Sequence, residues 1–232
     1  MKSRCSIFFF SILILAFNQN GCVSPPTEME PKTVQVLDLI CADDYLQDML
    51  EKLPDGETLV LENREYCITE SLWISEKENI TLKGQENTSI VSNNLDYAIL
   101  YLTDTKNLVI DGIKMKHKTP PEPEEYCSEA VIRTQLVENI VIKNSELNGS
   151  GRYGVELYRS KNVIIENNKI HNNSNAAFRF IADNNFNSEK LLMSNIVIRK
   201  NHIYNNPRLI DTDWPDDLLS TFLTMEKNNI DP

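Results

Sequence analysis

The 232-residue sequence is short of positive charge: 23 lysines and arginines face 34 aspartates and glutamates, for a net charge of −11. That argues against a nucleic-acid partner, since gripping a phosphate backbone takes a basic footprint. It also gives no overall attraction toward polyanionic sugars, which leaves that work to a local basic patch. Long apolar runs are lacking too. Ser6 to Phe17 would reach only about 18 Å as a helix, against a hydrocarbon core of ~30 Å. Only three histidines are present, His117, His171 and His202. Aligned on the repeats below, they lie near one another without sharing a position, so they read as surface residues rather than a metal site. Cysteines number five. Cys5 sits in the apolar stretch, leaving Cys22, Cys41, Cys67 and Cys127. Cys41 and Cys67 flank the first helix–turn–strand unit and are the pair expected to form a disulfide, in a compartment that permits the bond.

The N-terminus has the pattern of an export signal: Lys2 and Arg4, then a short apolar stretch ending at Phe17. Gly21-Cys22 follows, and then the polar, proline-rich stretch Val23 to Thr33. This arrangement resembles a bacterial lipoprotein. The resemblance implies a signal over 1–21, acylation of Cys22, a flexible tether over 22–35, and membrane contact through a lipid anchor only. Gln19 stands three before the cysteine, where that motif usually has an aliphatic residue. Ordinary cleavage near Gly21, with Cys22 a plain thiol, is the alternative. The expected location is therefore either the outer membrane or cell surface as a lipoprotein, or the periplasm or medium. Residues 36–232 are enough for one domain with a sizeable core.

One phrase recurs in that domain: an asparagine followed by three mostly aliphatic residues. It begins at Asn79, Asn107, Asn139, Asn162 and Asn195, at spacings of 28, 32, 23 and 33 residues. Each phrase is β-branched and too short for a helix, so each reads as a strand. Second strands follow, as in Lys169-Ile170-His171, and third strands precede the asparagine, as in Gly154 to Tyr158. Three short strands per repeat make a triangular solenoid. A single repeat cannot hide its own apolar side chains, so repeats stack and bury a common column. The expected fold is all-β: a right-handed parallel β-helix of five to six turns, with the five asparagines forming a ladder of side-chain amides. The apolar positions 45, 46, 49, 50 and 53 mark a helix over 43–53 that covers the first coil. Residues 211–232 are expected to close the other end.

The segment from Asp44 to Gly84 resembles the opening of pectate-lyase-superfamily β-helices: a helix, Leu53-Pro54-Asp55-Gly56-Glu57-Thr58, a strand, and Asn79-Ile80-Thr81-Leu82-Lys83-Gly84. Gly154 through Asn173 is similar to the repeats of periplasmic copper-protein-associated and related carbohydrate-binding β-helix proteins. The resemblance spans about residues 43–206. It implies a carbohydrate-related role without fixing an activity, since this fold hosts lyases, hydrolases, epimerases, adhesins and plain binding proteins. The arginine–proline pattern of the lyases, the glycine–histidine–glycine of the polygalacturonases and the Asp-Pro-His-Asp of the epimerases are all missing.

Without those signatures, the candidates are constellations. Stacking places Arg133, Glu156 and Arg179 on neighbouring rungs, with Tyr101, Tyr158 and Phe180 nearby in sequence. Facing outward, they would form a side groove for a polysaccharide or cell-surface glycan, arginine binding carboxylates and aromatic faces covering sugars. The plainer reading, and the favoured one, is that they are solvated outer positions paired up the ladder, arginine with glutamate. His171 joins this set as a further candidate. Asp211, Asp213, Asp216 and Asp217 offer oxygen ligands for calcium, or simply an acidic helix start. The expected function is a β-helix protein that binds polysaccharide without assured catalysis. The rivals are a polysaccharide lyase or glycoside hydrolase working through Arg133, Glu156, Arg179 or His171, and a surface adhesin or structural solenoid with a protein partner; in any of these the loops at 119–127 and 183–194 would build the contact surface.

Overall fold

The computed structural model describes Cys41 and residues 43–118, 129–149, 152–182 and 193–231. The signal, the tether, Cys22, Cys127, the 119–127 insertion and most of 183–194 lie outside the described residues.

Alternation of apolar and polar side chains dictates short strands, and the described residues hold 20 of them in three parallel sheets. One coil shows the plan. Residues 138–143 run in the first sheet, 146–148 in the second and 153–158 in the third, and the next coil begins at Lys161. Six complete coils and two strands of a seventh stack this way. The register keeps each asparagine phrase level with the next: Ile140 pairs with Leu108 on one side and Val163 on the other, and Val163 with Ile196. The architecture is a parallel β-helix. Of each aliphatic triplet only the first and third residues enter the shaft. Ile140 and Ile142 are fully buried while Val141 faces outward and is half-buried, because side chains alternate across a strand.

Two amide ladders fix the corners. Outside, Asn107 donates to Asn79, Asn139 to Asn107, Asn162 to Asn139 and Asn195 to Asn162, at 2.7–3.0 Å. All five have positive φ of 52–60°, a conformation asparagine tolerates better than most residues. The second ladder lies inside the bend between the first and second sheets and is formed by Ser145, Asn168, Asn201 and Asn228. Asn168 Nδ2 donates to the Ile142 carbonyl and its Oδ1 accepts from the Ser145 amide, both at 2.9 Å. Asn201 repeats this one coil on, toward Ile165 and the Asn168 amide. Backbone groups turned away from the sheets at this bend are thereby satisfied.

At the start of the stack, the helix α1 (Asp43–Lys52) buries Leu46 and Leu50 over the shaft. Gln47 takes the place of a missing strand: its Oε1 accepts from Trp73 N at 2.8 Å and its Nε2 donates to Trp73 O at 3.2 Å. Cys41 and Cys67 are joined in a disulfide. At the far end, Trp214 and Phe222 of the helix α2 (Asp216–Phe222) are buried. The 211–232 region is more than a cover. Leu223–Glu226 pairs with Ile196–Arg199, and Asn229–Ile230 with His202–Ile203, extending two sheets by another strand.

Candidate functional site

The outer face of the third sheet carries the richest row of side chains. Register aligns Trp73, Tyr101, Arg133, Glu156, Arg179 and Asp211 on six successive rungs, all pointing away from the shaft. At ~4.8 Å per rung the row runs about 24 Å along the axis.

Its first part is aromatic. Trp73 is 47% exposed and its ring centroid lies 4.2 Å from that of Tyr101. Arg133 sits over the other side of Tyr101, 5.5 Å from the ring centre, a cation–π contact. The Tyr101 hydroxyl donates to Gln135 at 2.6 Å. The remainder is ionic. Arg133 donates to Glu129 at 2.7 Å, and its Nε lies 2.9 Å from Glu156 Oε1. Arg179 pairs with Asp211 at 3.2 Å and with Asp213. Asp211 also accepts from the Tyr153 hydroxyl at 2.7 Å. Burial works against the charge on each arginine, but the neighbouring carboxylates outweigh it and raise both guanidinium pKa values.

Glu156 is the unusual member. It is only 7% exposed, and Oε1 receives no hydrogen bond despite its closeness to Arg133. Burial pushes its carboxyl pKa up, against the opposing pull of Arg133, with Glu129 adding to the rise. A raised folded pKa means that stability is fully present below the unfolded value of 4.5 and is lost as pH rises through the folded value. Glu156→Gln is therefore expected to leave the melting temperature unchanged below pH 4.5 and to raise it by pH 7. Thermal melts of both proteins across pH 3.5–8 check this; a gap that stays constant with pH refutes it.

The structure brings Arg133, Glu156 and Arg179 together as neighbours, and Tyr158 lies on the same face two residues along the strand. His171 does not join them. It belongs to the second sheet, level with Tyr204, whose ring it stacks on at 4.4 Å, and its Nε2 lies 3.3 Å from Glu146. Burial lowers its pKa, the Glu146 hydrogen bond opposing. Phe180 points inward and is fully buried, one position out of phase with Arg179. The four aspartates are not gathered: Asp211 and Asp213 face Arg179, while Asp216 and Asp217 occupy the first turn of α2. Among the described residues no three histidine, cysteine or acidic side chains are placed to hold one metal ion. Trp73, Glu129 and Tyr153 escaped sequence reasoning. Trp73 could have been found, since it stands six residues before Asn79, as Tyr101 does before Asn107 and Arg133 before Asn139.

A provisionally assigned glycosyl hydrolase from Parabacteroides merdae superposes with a TM-score of 0.57 at 13% identity, covering 82% of this chain and 85% of that one. The catalytic unit of the GH87 α-1,3-glucanase from Streptomyces thermodiastaticus gives 0.50 at 15% identity; 82% of this chain matches 37% of its length. Likenesses this remote in sequence carry the fold alone. No curated protein matches the sequence. The right-handed β-helix region family matches residues 58–231, three quarters of the chain and nearly all of the described solenoid, and the chain belongs to that family.

Proposed function

We propose that this protein binds a polysaccharide along the outer face of the third sheet. The observation that carries the reading is the exposed Trp73 ring, backed by the half-buried Tyr101, standing in line with the ionic row Arg133–Glu156–Arg179–Asp211. Sugar rings lay their C–H faces on aromatic surfaces while hydroxyls exchange hydrogen bonds with planar guanidinium and carboxylate groups. A row parallel to the axis offers such contacts to several successive sugars of one strand. The β-helix hydrolases named above act on or are assigned to glycans, which supports a carbohydrate partner. Export, with anchoring through Cys22, belongs to the same reading and would place the face outside the cytoplasm. A Cys22→Ser variant staying in the membrane fraction would count against the anchor.

A second reading, cleavage of the bound chain, is favoured by Glu156. A buried carboxyl with a raised pKa between two arginines is suited to proton transfer. A panel of neutral and uronic-acid polysaccharides distinguishes the two. In affinity electrophoresis, Trp73→Ala and Arg179→Ala are each expected to weaken retardation at least tenfold on the polysaccharide that retards the parent. Equal retardation of parent and variants sinks the face as a binding site. Release of reducing ends or unsaturated product, abolished by Glu156→Gln, would make the protein an enzyme.

A further inference from the structure

The second sheet has an outer face that the groove above does not use. Three adjoining clefts of about 410, 260 and 490 Å³ cross it. The first and second share Lys114 and Glu146, and the second and third share Lys116 and Asn148, so they run together as one oblique trough. One end is floored by bare backbone at Gly84 and Gly112. A Cβ on Gly84 would meet the Gly112 carbonyl oxygen at 2.3 Å, so that rung must stay without a side chain. Amides of Asn144 and Asn148 edge the opening.

Charge on this face is arranged by rung. Lys114, Glu146 and Lys169 are consecutive in register. Glu146 nevertheless forms no ion pair with either lysine, because its carboxylate turns toward His171 at 3.3 Å. Lys114 and Lys169 are exposed, and among the described residues their ammonium groups make no hydrogen bond or ion pair; their backbone amides are engaged, with Thr88 and Ser145. Lys116 reaches only a distant Glu65, at 4.0 Å. In a protein of net charge −11, Lys114 and Lys169 are cations held in no ion pair, unlike Arg133 and Arg179. The two free lysines stand two rungs apart, about 9.6 Å at ~4.8 Å per rung, close to the length of one disaccharide. Between them a carboxylate disfavours negative charge and accepts hydroxyl or amide protons.

We propose that this trough is a second binding site, for an acidic glycan carrying one carboxylate per disaccharide. The lysines take the acidic sugars, and Glu146 with the flanking asparagines takes the neutral sugar between them. This site does not depend on the third-sheet groove.

The test uses hyaluronan oligosaccharides, in which glucuronate alternates with a neutral amino sugar. Oligogalacturonate, acidic at every sugar, and chitin oligosaccharides, acidic at none, serve as comparisons. Calorimetry is expected to give binding to hyaluronan that falls at least tenfold in Lys114→Gln/Lys169→Gln and is unchanged in Lys161→Gln of the first sheet. Acetylation of surface lysines, read by mass spectrometry, should show Lys114, Lys116 and Lys169 protected by hyaluronan, with Lys106 and Lys161 of the first sheet unprotected. Absence of binding, binding that survives the double substitution, or an equal loss in Lys161→Gln overturns the site. Oligogalacturonate bound as tightly as hyaluronan overturns the alternation.

Discussion

Asn201→Ala is expected to lower the free energy of unfolding by about 4 kcal/mol, a large share of the ~5–15 kcal/mol that holds an ordinary domain folded. The side chain is 1% exposed. Its Oδ1 accepts from the backbone amide and side chain of Asn168, at 2.9 and 3.1 Å, and its Nδ2 donates to the Ile165 carbonyl at 2.9 Å. Alanine leaves one amide and one carbonyl buried without partners, at roughly 1–3 kcal/mol each, and water has no route to replace them. The outer ladder provides the control. Asn139→Gly keeps the positive φ of 59° and loses only exposed amide contacts, for which water substitutes, so about 1 kcal/mol or less is expected. Urea unfolding of the two variants makes the comparison. Equal shifts would show that the inner ladder has no special role in stability.

Replacing Cys41 and Cys67 together by serine is expected to remove about 3.5 kcal/mol. The bond closes a loop of 26 residues, and the entropy withheld from the unfolded chain grows with the logarithm of loop length. The loss falls on one end of the molecule, since the crosslink holds the chain entering α1 against the second sheet. Limited proteolysis between residues 41 and 53 should accelerate in the variant while the later coils stay resistant, as expected when each coil contacts only its neighbours. An unchanged unfolding midpoint would show that the crosslink does not act on the unfolded chain as described.

Much of this architecture is written in the sequence as an offset from the recurring asparagine. Six residues before it stands an outward residue of the third sheet: Trp73, Tyr101, Arg133 and Glu156. Six after it stands the inner bend: Ser145, Asn168 and Asn201. Local spacing is reliable there because corner and strand are built from a fixed number of residues. It fails where the chain wanders between strands. Sixteen residues separate Arg179 from Asn195, so its position had to be read from its own strand, and its partners Asp211 and Asp213 could not be counted out at all. His171 stands apart from the arginines because its strand, 169–171, runs in the second sheet level with Tyr204, as its spacing from Asn162 already implies. Pairing is legible only in part: neighbouring rungs point to arginine with glutamate, as Arg133 and Glu156 show, and no further. Which carboxylate an arginine meets depends on rotamers, as Glu146 shows by turning from two lysines toward a histidine.

The amide of Gln47 presents to Trp73 the donor and acceptor that a neighbouring polypeptide would otherwise offer. A stray chain arriving at the first coil of the third sheet therefore finds the amide and carbonyl of Trp73 already taken, and zipping onto that edge is discouraged at its middle by one glutamine. Coils inserted by gene duplication downstream of this stopper would leave it in place, so the molecule can lengthen in whole steps without disturbing it.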